Sequence, residues 1–151
     1  MSSRRRAREF AMQALYAVDV AGVTGPQALT GLWASLLDDT ELLGEPLTPD
    51  ETEFAQALVR GTLEDRDDLD GRIETASTNW RIPRMPTVDR NILRLGAFEL
   101  RHRTDIPASV SMNEAIELAK RFGGAESRAF VNGILDRIAA DVGRGGRRKG
   151  G

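Results

Sequence analysis

The sequence has no cysteine, one histidine (His102) and one tyrosine (Tyr16) in 151 residues. Without cysteine there can be no disulfide, no thiolate metal ligand and no thiol nucleophile. One histidine cannot build a histidine-rich metal site, and His102 sits in "ELRHRTD", a charged helix end where a solvated or capping role is expected. No stretch reaches the roughly 18 consecutive apolar residues that would cross a bilayer, so no membrane partner is expected. The basic start lacks a continuous apolar core and a small-x-small cleavage site, and Asp19 follows it; the expectation is a cytoplasmic protein without a secretory leader. Also missing are a glycine-rich strand-to-helix phosphate loop, a GxSxG elbow and an HExxH pair. Carboxylates are plentiful, but their spacing puts them mostly on solvated helix faces, with no pair in an apolar setting that would tune a pKa. No catalytic residue, metal or cofactor is expected.

Lysine is scarce as well: of 21 basic residues only Lys120 and Lys149 are lysine, and the rest are arginine, which suits phosphate and base-stacking contacts better. The net charge of −2 hides a segregation. Arg4, Arg5, Arg6 and Arg8 crowd the start and Arg144, Arg147, Arg148 and Lys149 the end, with no acid within residues 1–8 or 144–149. Residues 38–74 hold 13 acids and three arginines. Signs separated in this way point to separate faces for separate partners.

The apolar pattern is helical throughout. Ala7, Phe10, Ala11, Ala14, Leu15 and Val18 recur at helical spacing, and "AGVTGP" ends that segment. Pro26 suits a first turn, followed by a stripe of Leu29, Leu32, Trp33, Leu36 and Leu37. Thr48, Pro49 and Glu51 read as a capping box that starts a helix. Gly61 in that helix is expected to permit close approach of another, and a break is expected between Asp67 and Leu69. "NWRIPRMP" is a connector. From Thr87 the residues Val88, Ile92, Leu93, Leu95, Ala97, Phe98 and Leu100 cover most of a helix circumference, the mark of a central helix. Ser111 and Glu114 read as a second capping box, "GG" at 123–124 as a stop, and a last helix runs from about Ser127. No segment alternates with period two. The chain is predicted to be all-α with about seven helices: a helical domain over 1–142 and a basic, glycine-rich flexible tail over 143–151.

The arginine-rich start is the informative feature. Cations near a helix N-terminus oppose the helix dipole, each by roughly 0.3–1 kcal/mol when exposed. An external phosphate would reverse that sign, since the N-terminal amides also bind anions. Single-stranded RNA would further need stacking groups and base-edge readers. Phe122, Phe130, Gln13, Asn132 and Arg128 are available, with core packing as the alternative for both phenylalanines and as likely as stacking for Phe122. For Tyr16, core packing and a partner contact stand equal.

The stretches "RRRAREFAMQALY", "VDRNILRLGAFEL" and "IPASVSMNEAIELAKRFGGAESRAFVNGILDRIA" together resemble the NusB family of bacterial transcription antitermination factors, in order and over nearly the whole chain. Residues 22–80 match only through their helical pattern. The resemblance implies two packed three-helix bundles and binding of single-stranded boxA RNA, above all in ribosomal RNA operons. It implies NusE, a small-subunit ribosomal protein, as partner, with NusA, NusG and RNA polymerase in a larger complex and a homodimer as a possible free state. Carried over by position, it implies RNA contacts at Arg4, Arg5, Arg6, Arg8, Gln13, Lys120, Phe122, Glu126, Ser127 and Phe130. It implies a NusE-facing surface at Tyr16, Asp89, Arg90 and Arg94. Glu126, an acid beside RNA, is expected to temper affinity. The extra glycine in "GGAES" and the basic tail depart from the family pattern. Two alternatives stand beside this reading. An RNA-recruiting domain of a ribosomal RNA methyltransferase would need a methyl-donor-binding domain and a catalytic cysteine. A protein-interaction module without RNA binding would use the acidic stretch 38–74.

Overall fold

A computed structural model describes residues 3–38, 44–78 and 80–144. Among them are seven α-helices and no strand: α1 (Ser3–Ala21), α2 (Pro26–Leu37), α3 (Pro49–Glu64), α4 (Arg66–Ser77), α5 (Thr87–His102), α6 (Ala108–Phe122) and α7 (Ser127–Asp141). A 3-10 turn, Ile82–Arg84, lies in the connector before α5. The all-α expectation holds. The chain divides into two units, Met1–Arg60 and Gly61–Gly151. Of the charged tail, residues 145–151 lie outside the described residues.

In the first unit α1 buries the whole expected stripe, Ala7, Phe10, Ala11, Ala14, Leu15 and Val18, and Met12 besides. The stripe on α2 is its less exposed side but stays half-buried; no residue of that helix is buried. Trp33 attaches it to α1, its ring meeting Phe10 edge-on at 5.1 Å. At the start of α3 the capping box forms as the sequence predicts. The Thr48 amide donates to Glu51 Oε1 (2.9 Å), and the Glu51 amide donates to Thr48 Oγ1 (3.1 Å).

In the second unit α5 is central and packs against α4, α6 and α7. Every residue from Asn91 to Leu100 is buried. A helix buried so completely must find partners for its polar groups inside the protein, because an unpaired buried polar group is costly. Arg94 does so with a two-pronged pair to Asp70 on α4, at 2.7 and 3.0 Å, and a third bond to Asn91. Glu99 accepts the Ser111 hydroxyl at 2.8 Å. Arg144 caps the far end by donating to the carbonyls of Glu99, Leu100 and Ile106. On α4, Arg72 bonds Asp68 and reaches Asp141 on α7, both at 2.9 Å. The Arg72 hydrogen bond, helped by the charge of Arg101, holds the Asp68 carboxyl below its ordinary value of 3.8. That exposed tie is therefore present above that value and fades as pH falls below it.

Two local expectations are corrected. The helix break falls at Asp65, ahead of the predicted interval, where the side chain accepts from His102 Nε2 at 2.8 Å and lies 3.6 Å from Arg101. Ser111 and Glu114 form no capping box. The helix begins at Ala108, with extended Pro107 (φ −56°, ψ 139°) as its N-cap, and the Pro107 carbonyl accepts the Ser111 amide at 3.2 Å. This leaves Ser111 inside the helix, with its hydroxyl committed to Glu99.

Gly61 does permit a close approach: a methyl at that Cα would overlap the Phe98 ring. Gly61→Ala is expected to lower the unfolding free energy by about 1–3 kcal/mol through overpacking. Urea denaturation checks this, and an unchanged midpoint would show that the ring moves aside freely.

Candidate nucleic-acid interface

The first turn of α1 contains no acidic residue, and its four arginines divide into two kinds. Arg4 and Arg5 are exposed. The Arg4 guanidinium lies over the Phe54 ring, 4.3 Å from its centre, which steadies the charge without neutralising it. Arg6 is half-buried and turned inward: it pairs with Glu51 at 3.1 Å and also donates to the Glu45 carbonyl. Arg8, for which the resemblance implies an RNA contact, is only 3% exposed, and its guanidinium stands 5.3 Å from the same Phe54 ring. The mismatch with the helix dipole is thus relieved internally at Arg6, while Arg4 and Arg5 present charge to solvent. Gln13 is half-buried, and its amide donates to the Glu9 carbonyl one turn earlier at 3.2 Å. Tyr16 is 39% exposed.

In the second unit the junction of α6 and α7 gathers the other expected contacts. Lys120 is exposed in the last turn of α6, where a cation suits the dipole. Phe122 is half-buried, with the Arg121 guanidinium 5.1 Å from its ring centre. Gly123 ends the helix, and its lack of a side chain is required: a Cβ would strike Ser127 Oγ and the Ala119 carbonyl. Ser127 is the hinge of the junction. Its hydroxyl accepts the Gly124 amide at 2.9 Å and donates to Asp89 Oδ1 at 2.7 Å. Glu126, at the N-cap of α7, is exposed and makes no side-chain capping bond. Phe130 is half-buried against Trp80, ring centres 6.1 Å apart in a T-shaped arrangement. Asn132 and Arg128 are exposed.

The residues expected to face a protein partner behave differently. Asp89 and Arg94 are each 5% exposed and are engaged inside the second unit, with Ser127 and Asp70. Arg90 is half-buried and donates to the Ile82 carbonyl at 3.3 Å. The apolar circumference of α5 was the signal that its charges would be internal. Spacing alone puts carboxylates mostly on solvated faces, yet Glu51, Asp89 and Glu99 are buried. Among the described residues, no group of three or more His, Cys, Asp or Glu is placed to hold a metal, and no helix is long and apolar enough to cross a membrane.

A model of the NusB family matches residues 5–140. The chain is 49% identical over 139 residues to the transcription antitermination protein NusB of Myxococcus xanthus, spanning 92% of this chain and 96% of that one. It is 45% identical over 144 residues to the protein of that name from Sorangium cellulosum, spanning 95% and 96%. Among solved structures it is similar to T. maritima NusB, with a TM-score of 0.79, 37% identity and 91% of each chain covered. It is also similar to a chain in a complex of antitermination factors NusB and NusE with dsRNA, with a TM-score of 0.80, 26% identity and coverage of 93% and 98%.

Ser127→Ala removes one donor and one acceptor at once and leaves the buried Asp89 carboxylate without that partner. The expected loss is about 1–3 kcal/mol of stability. Thermal unfolding measures it; a change below a few tenths would mean that Asp89 is satisfied without Ser127.

Proposed function

The chain belongs to the NusB family of transcription antitermination proteins, and we propose that it binds single-stranded boxA RNA together with NusE to support processive transcription of ribosomal RNA operons. The observation that carries this reading is the acid-free first turn of α1, with Arg4 and Arg5 exposed and Arg4 seated on Phe54. Likeness to a NusB–NusE complex with RNA supports it. Arg4 and Arg5, with the first-turn amides, take the phosphates; Arg6 and Arg8 hold the helix end in place and raise the local field. Gln13 lies further along the same helix as a polar contact. At the α6–α7 junction the exposed parts of Phe122 and Phe130 stack bases, Lys120 meets backbone charge, and Ser127 fixes the loop that carries them. Glu126 repels phosphate and so limits affinity.

Toward NusE, Tyr16 offers exposed surface and Arg90 its half-exposed side, while Asp89 and Arg94 act through the geometry they impose on α5 and its neighbours. NusA, NusG and RNA polymerase complete the cytoplasmic assembly, and a homodimer is the resting alternative to the NusE-bound state.

Replacing Arg4 and Arg5 together with alanine is expected to weaken boxA binding sharply and to flatten its salt dependence. The slope of log K against log salt falls by about 0.7 for each single-strand phosphate that is no longer neutralised. Filter binding over a salt series, with scrambled RNA as control, measures both. Equal affinity of the unaltered chain for boxA and scrambled RNA would favour a protein-only module. Glu126→Gln is expected to tighten binding about two- to fivefold, the size of one exposed charge interaction of about 0.5–1 kcal/mol. Weaker binding in that variant would instead make Glu126 a base-edge acceptor.

A further inference from the structure

The connector between α4 and α5 holds an exposed aromatic ring that the proposed interface has not used. Trp80 is 46% exposed, although burying an indole is among the most favourable things a chain of this size can do. It is not left outside by slackness. The buried Ser77 hydroxyl clamps its backbone from both directions, donating to the Trp80 carbonyl at 2.6 Å and accepting its amide at 3.3 Å. Glu74 accepts the next amide but one, that of Ile82, at 2.8 Å. Ile82 and Met85 are buried and anchor the segment beyond the tryptophan. Thr78, a β-branched residue, is held at φ 61°, a conformation such residues avoid unless their surroundings enforce it.

The clamp aims the ring at one place. α7 runs antiparallel to α4: Asp141 meets Arg72, Arg137 donates to the Ala76 carbonyl, and Phe130 meets Trp80. Trp80 therefore stands at the α7 end that carries Glu126, Ser127 and Phe130, and its contact with Phe130 makes the aromatic surface continuous. The charge around it is favourable. The Arg81 side chain is 80% exposed, with Glu74 3.7 Å away, and Arg84 is exposed on the 3-10 turn. An aromatic ring flanked by guanidinium groups is the chemistry that stacks a base and meets its phosphate.

We infer that Trp80, with Arg81 and Arg84, extends the RNA site of the second unit, the indole stacking on a nucleobase of the single strand beside Phe130. The inference rests on the RNA-binding reading above and adds a residue to it. The test uses the full chain with Trp33→Phe, so that Trp80 is the only tryptophan, titrated with fluorescein-labelled single-stranded boxA RNA. Anisotropy of the RNA reports binding, and indole emission under unlabelled RNA reports stacking. Expected are saturable quenching of Trp80 at the concentration where anisotropy rises, and a loss of affinity of about five- to a hundredfold in Trp80→Ala. Trp80→Phe, which keeps a ring, retains most of the affinity and guards against a folding defect in the alanine variant. Binding by the unaltered chain with no quenching of Trp80, and with affinity unchanged in the alanine variant, would overturn the inference and leave the RNA reading intact. A change in Trp80 emission with NusE but not with RNA would also overturn it, assigning the ring to a protein contact. If the unaltered chain bound no boxA RNA either alone or with NusE, the functional reading would fail and this inference with it.

Discussion

The first unit depends on one carboxylate. Glu51 accepts the Thr48 amide to close the capping box of α3 and, through the same oxygen, accepts Arg6 from α1. It is 4% exposed, so both bonds form in a setting where charge–charge attraction is weakly screened. A buried carboxylate without such partners would be strongly unfavourable, and an arginine in the first turn of α1 without an acid would oppose the helix dipole. Each group removes the other's difficulty. Once Arg6 is fixed, the register of α1 follows, and the Arg4 and Arg8 guanidinium groups fall within 4.3 and 5.3 Å of the centre of the Phe54 ring. The outward charge of Arg4 and Arg5 thus follows from an inward salt bridge.

The second unit solves a related problem with several ties. A helix buried as fully as α5 gains much from apolar burial, but each of its polar side chains then needs a partner on a neighbouring helix. Arg94 ties it to α4, Glu99 to α6 and Asp89 to α7. Such bonds add direction to packing that apolar contact alone would leave loose. The Asp89 tie also orders a loop. Through Ser127 it fixes the short loop from Gly123 to Ser127, on whose two sides the half-exposed rings of Phe122 and Phe130 stand.

Helix number, the central position of α5, the stripe on α1 and the start of α3 were legible in the sequence, because each rests on spacing within a few residues. The limit of such signals appears where the same pattern occurs twice. Thr48 and Glu51 close a capping box; Ser111 and Glu114, at the same spacing, do not. Pro107 had already begun the helix, and Glu99, twelve residues away along the chain, took the serine hydroxyl. The positions of the arginines were readable as a cluster but not as individuals. Whether a guanidinium faces water or a ring is decided by Phe54, and whether it finds an acid is decided by Glu51, both contributed by another helix. A motif points Asp89 and Arg94 toward a partner, although the apolar circumference of their own helix argues that they are inside.

The same reasoning separates what holds an interface from what touches a ligand. A charged group already engaged with a buried partner has little left to offer an incoming phosphate, because the new contact would compete with an interaction formed at lower local dielectric. Arg6, Arg8 and Arg94 are of this kind; Arg4, Arg5 and Lys120 keep their charge at the surface. Aromatic rings obey a parallel rule, since only the face left outside the core can stack on a base. A half-buried ring such as Phe122 or Phe130 gains rigidity from its buried side and presents its other side without losing further rotamer entropy. Alternation of anchored and exposed groups, seen within α1 and separately at the α6–α7 junction, leaves each of these surfaces pre-organised. In the proposed complex the ordering cost of binding then falls chiefly on the RNA.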